Sequence, residues 1–166
     1  MGKNLEASIN ENSESFYKLY LLGRQEGLGN NILSFLLLTA VEEKSKYFME
    51  ILMRKCGSPS IRRKVRAIIY VNHVIKYKFY IALYCMITPS YYDINYIRHK
   101  AESLSDKWKK MRNQYLINIS RTSINNADIV EIDELYKGSN EIESEIKSLD
   151  KEDSCNILNQ LLVLLS

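Results

Sequence analysis

Arginine and lysine offer the clearest chemistry in this sequence. Arg62, Arg63 and Arg66 crowd one short stretch, Lys76 follows, and Arg98 and Lys100 stand in a second. A guanidinium presents a planar fork of donors that meets a carboxylate or phosphate through two hydrogen bonds. These six residues are the candidate partner-binding set, and the partner they suit is an acidic or phosphorylated protein segment.

Catalytic and metal-binding patterns are weak by comparison. The adjoining carboxylates Glu42 and Glu43 diverge on a helix. The glycines between Gly23 and Gly29 join two helices and lack the Gly-Lys-Ser/Thr of a phosphate loop. No serine or cysteine stands in the context of an activated nucleophile. Cys56, Cys85 and Cys155 form no CxxC, and His73 and His99 are too few to complete a zinc site. The expectation is no enzyme, no cofactor, no metal and three free thiols in a reducing compartment.

Charge is divided along the chain. Residues 1–115 carry 19 Lys+Arg against 10 Asp+Glu, or +9, and residues 116–166 carry 4 against 10, or −6, which returns the overall +3. A basic body with an acidic tail suits an acidic partner, and the interleaved tyrosines would allow a weak nucleic-acid contact. The longest uncharged apolar runs, Ile32–Val41 and Phe79–Pro89, are far below the roughly 20 residues of a membrane-spanning helix. With no secretory or lipidation pattern, the expected place is intracellular, nuclear or cytoplasmic, with no membrane partner.

The elements that must position these residues read as helices. The expected fold is all-α: a single bundle or superhelix of about six to eight helices. Residues 1–12 would be a flexible N-terminus, 13–116 a basic helical domain, and 117–166 an acidic helical tail that packs on the domain or docks a partner. Ser13 could cap a first helix with Phe16, Leu19, Tyr20 and Leu22 inward and Gly23 ending it. Ile32–Val41 reads as the central buried helix, and residues 45–55 as a third that Gly57 stops. Ser58-Pro59 is a helix start, a cap followed by proline in the first turn. The apolar pattern then runs to Thr88-Pro89, as one helix of about 28 residues or, the favoured reading, as two with a bend near Tyr77. Ile94, Ile97, Ala101, Leu104, Trp108, Met111 and Tyr115 recur at spacings of 3 and 4, a helix of about six turns whose seam packs in a core. Residues 118–140 read as a loop or a short helical piece. Ile157, Leu158, Leu161, Leu162, Leu164 and Leu165 need burial.

Residues Ile97-Arg98-His99-Lys100-Ala101-Glu102-Ser103-Leu104-Ser105-Asp106-Lys107-Trp108-Lys109-Lys110 resemble the closing helix of the TFIIS N-terminal (LW) domain, whose Ala-x-x-Leu-x-x-x-Trp-Lys pattern seals a small helical bundle. Gly57-Ser58-Pro59-Ser60-Ile61-Arg62-Arg63 resembles a helix entry in the Iws/Spn branch of elongation factors. The likeness covers about residues 57–112. A second stretch, Lys64-Val65-Arg66-Ala67-Ile68-Ile69-Tyr70-Val71-Asn72-His73-Val74-Ile75-Lys76, is similar to the central helix of CTD-interacting domains, readers of the phosphorylated RNA polymerase II tail. Both resemblances imply an all-helical adaptor that holds short peptides between helices, the first in transcription elongation. The alternative is a structural or RNA-contacting subunit of a larger complex.

Overall fold

The computed structural model describes residues 4–88, 93–117 and 124–166, with side chains through Asn113 in the second stretch. Among the described residues eight helices follow one another: α1 (Leu5–Gln25), α2 (Asn30–Cys56), α3 (Pro59–Ile68), α4 (His73–Ile87), α5 (Ile94–Ile117), α6 (Asn126–Lys137), α7 (Ser139–Ser148) and α8 (Lys151–Leu165). No strand occurs among the described residues. The fold is all-α, and none of these helices is long and apolar enough to cross a membrane.

Helix α2 is the axis of the bundle. It buries Leu37, Leu38, Val41, Phe48, Ile51 and Leu52, and every other helix packs against it. The charged run Glu42-Glu43-Lys44 reads as a break between two helices, yet the helix continues through it. The reason is internal compensation. Glu42 and Lys44 are buried, Glu42 against Lys76 and His73, Lys44 against Asn10. Gly57 ends the helix in the left-handed region at φ 66°, where a side chain is strained. A Cβ there would meet nothing within 4 Å, so the cost of substitution is conformational alone. Gly57→Ala should lower the stability by about 1 kcal/mol, read in a urea titration. An unchanged midpoint would mean that the turn relaxes freely.

Helix α1 begins at Leu5 instead of after a flexible residue 12. Asn4 caps it by accepting the Glu6 N–H, and Arg54 ties Glu6 to α2 at 2.6 Å. Ser13 is therefore an interior position: its hydroxyl donates to the Ala40 carbonyl at 2.8 Å and lies 2.9 Å from the Tyr136 hydroxyl. Tyr20 is buried as expected, but Leu19 and Leu22 face solvent, because the helix continues past Gly23 and turns at Gly27.

Ser58 caps α3, with Pro59 in the first turn. The break before α4 falls at Ile69–Asn72, several residues earlier than Tyr77, because the Asn72 side chain accepts the Val74 N–H and starts a new helix. The α5 seam is buried at Ile97, Ala101, Trp108 and Met111, with Leu104 half-buried. Ile94, at the first residue of the helix, stays exposed. Pro89 and the Tyr115 side chain lie outside the described residues. The polar stretch after residue 123 holds α6, capped by Asn125. Helix α8 folds back on α2, α3 and α4 and buries Leu158, Leu161, Leu162 and Leu164.

The thiol expectation is overturned. Cys56 at the end of α2 and Cys155 in the first turns of α8 form a disulfide, with Cα atoms 4.8 Å apart and 99 residues between them. Only Cys85 stays free, buried within α4. The spacing gives no hint of this pair, because the return of α8 to the end of α2 makes it.

Candidate anion-binding pocket

The start of α4 and the C-terminal half of α5 lie side by side and border a half-open cavity of about 250 Å³. Asn72, the cap, His73 and Tyr77 line it from α4; Lys109, Arg112 and Asn113 line it from α5. Helical spacing explains both walls. His73 and Tyr77 stand one turn apart, and Arg112 and Asn113 stand one turn beyond Lys109. The α4 N-terminus adds the partial positive charge of its unpaired N–H groups.

Against this wall sits a charge network in which Glu42 and Lys76 are buried and His73 is exposed. The Glu42 carboxylate receives Lys76 Nζ at 3.1 Å and lies 2.6 Å from His73 Nδ1. Burial alone would raise the Glu42 pKa, but Lys76 and His73 outweigh it and hold the carboxyl below its ordinary value. The folded state therefore favours the charged form. Its contribution to stability is full at neutral pH and is lost as pH falls through and below the ordinary carboxylate range. Glu42→Gln should flatten the acid side of the stability–pH curve and lower the neutral plateau; parallel curves would show that the network carries no such linkage.

Two residues of the lining, Tyr77 and Arg112, carry donors without acceptors, and so does Trp108, whose ring meets that of Tyr77. Among the described residues, Tyr77 Oη, Trp108 Nε1 and Arg112 Nε are all buried and have no hydrogen-bond partner. Tyr77 is only 1% exposed and meets Trp108 edge to face, with ring centroids 5.7 Å apart. Burial pushes its phenol far up, the Glu42 charge adds to the shift and Arg112 opposes it. The hydroxyl thus remains a donor at any physiological pH. An orphaned buried donor costs about 1–3 kcal/mol. A ligand rich in acceptors offsets that cost, and an anion satisfies the neighbouring cations as well.

The six residues expected from sequence are placed differently. Arg62 and Arg63 are exposed on α3; Arg66 reaches Glu50 at 3.5 Å, a carboxylate that also accepts the Tyr70 hydroxyl. Lys76 is buried and committed to Glu42. Arg98 is exposed on α5, and the Lys100 amine lies over the Tyr96 ring. Helix α3 packs on α8 and α2, whereas α5 packs on α4 and α2, so the two groups stand on helices with different neighbours. None of the six lines the pocket. Of the residues that do, Lys109 and Arg112 carry a faint signal in sequence: they share a face beside the Trp108 seam. Among the described residues, no three His, Cys, Asp or Glu side chains gather as a metal site.

Compared with known proteins, the chain matches no family model, no curated protein and no solved structure. The arrangement of its own side chains therefore carries the functional reading.

Proposed function

We propose that this protein is a non-enzymatic helical interaction module that holds an acidic or phosphorylated protein segment, with the segment's anionic group seated between α4 and α5. The observation that carries this reading is the set of buried, unpartnered donors, Tyr77 Oη and Arg112 Nε, beside a cavity lined by Lys109, Arg112 and His73. A phosphate or carboxylate supplies several acceptors and a compensating charge at once. The exposed Arg62, Arg63 and Arg98 supply a long-range field that draws an acidic segment in without fixing it. A role in transcription elongation belongs to the same proposal and rests on the resemblance of residues 97–110.

Calorimetric titration tests it. A serine peptide with acidic flanks should bind when phosphorylated, and binding should weaken steadily with salt as the screening length shrinks. Arg112→Ala should lose about 1.5–3 kcal/mol of affinity, roughly ten- to a hundredfold, because a charge-assisted contact disappears. The thermal melt should stay near that of the parent protein. Binding unaffected by Arg112→Ala would move the site elsewhere. Tight binding of a short RNA with a steep salt slope, and none of the peptides, would overturn the adaptor reading.

A further inference from the structure

A second cavity, of about 260 Å³, lies on another part of the bundle, where α1, α2 and the α6–α7 junction meet. Lys44 of α2 lines it and is itself 3% exposed. Lysine is almost never so deeply buried without a carboxylate partner. Here, among the described residues, no carboxylate lies within ion-pair distance of the amine. Its hydrogen bond goes to an amide oxygen, Asn10 Oδ1, at 2.5 Å, and the rings of Tyr47 and Tyr136 flank it at 5.5 and 5.8 Å.

The acids that surround the amine are engaged with other groups. From α1, Glu14 accepts the Asn10 amide at 3.1 Å; from α7, Glu143 accepts the Tyr47 hydroxyl at 2.8 Å and the Lys147 amine at 2.6 Å. Burial favours the neutral amine, the charges of Glu14 and Glu143 pull the other way, and burial prevails, so the Lys44 pKa is lowered. The neutral form of a lysine is a nucleophile. The walls suit a small anionic ligand. The cations Lys18 and Lys137 stand on the lining with a single carboxylate, Glu14; Lys137 is shared with Asp133 at 3.2 Å, and Tyr17 and Tyr136, stacked on one another at 4.4 Å, form the aromatic wall.

We infer that this cavity is a covalent capture site for small anionic carbonyl compounds, with the Lys44 amine forming an imine to the ligand's carbonyl carbon. The neutral amine attacks that carbon and a C–N bond forms. Both amine hydrogens end on the carbonyl oxygen, which departs as water, and a C=N bond remains. No oxidant or reductant is consumed, and the step reverses by adding water back. Lys18 and Lys137 hold the ligand's anionic group, and Tyr17 and Tyr136 wall the cavity beside it. The site is independent of the α4–α5 pocket.

The test uses the whole protein with pyridoxal 5′-phosphate, a flat anionic aldehyde, and borohydride to fix any imine as a stable secondary amine. Peptide mass mapping over time should find Lys44 modified several times faster than the peptides carrying Lys18 or Lys137. Pyridoxal without its phosphate should lose most of that advantage. Lys44 labelled no faster than the exposed lysines would overturn the proposal, as would equal rates with and without the phosphate. Lys44→Arg keeps the cation and the packing but cannot form the imine, so the fast phase should vanish while the melt persists. Should that variant fail to fold, the mapping on the unaltered protein still decides.

Discussion

Trp108→Ala should destabilise the protein by about 3–5 kcal/mol, the cost of emptying a fully enclosed indole site. The indole N–H has no partner among the described residues, so the loss is one of packing, not of a hydrogen bond. Its neighbour Tyr77 loses its edge-to-face contact at the same time. Trp108 is the largest fully buried side chain of the α5 seam, and α5 packs on both α4 and α2. The measurement is the urea midpoint with an unchanged slope. Because Tyr77 also lines the anion pocket, the variant should bind a phosphorylated peptide weakly even under conditions where it remains folded. A loss below 1 kcal/mol would mean that α4 and α5 collapse around the gap.

Loss of the Cys56–Cys155 bond should have an effect of the same order. A crosslink closing a loop of 99 residues removes much of the disorder of the unfolded chain, worth up to about 4.7 kcal/mol on the loop-entropy account. Cys155→Ser, or a reducing agent with the unaltered chain, should lower the denaturation midpoint to a similar extent. An identical midpoint with and without reductant would show that the native packing of α8 already supplies all the restraint. Cys85 does not complicate the experiment. Burial raises its pKa against the opposing pull of Lys100, and a protonated, enclosed thiol exchanges slowly.

Sequence periodicity was sufficient where a helix has one apolar face and clear ends. The α5 seam around Trp108 and the Ser58-Pro59 entry to α3 are of that kind. Periodicity failed where polar residues are interior. Glu42 and Lys44 look like a surface break in α2 because their partners, Lys76 and Asn10, are 34 residues away and on other helices. Ser13 looks like a cap for the same reason, since its partners, Ala40 and Tyr136, come from α2 and α6. Lys76 reads as part of the binding face on charge alone, whereas its burial comes from the packing of α4 against α2 and its pairing with Glu42. The anion pocket was legible by halves. The Lys109–Arg112 face can be read from α5, but its apposition to His73 and Tyr77 depends on how α4 and α5 pack. The Cys56–Cys155 pair lay beyond any local pattern.

That pair also makes most of the molecule a closed covalent ring. A protease that cuts once anywhere between Gly57 and Ser154 would produce two polypeptides still joined through sulfur. Under non-reducing electrophoresis the nicked protein should migrate as one species and separate into two bands only after reduction. Limited digestion in the absence of reductant could therefore leave the bundle assembled after its backbone is broken, with α8 still held to the end of α2.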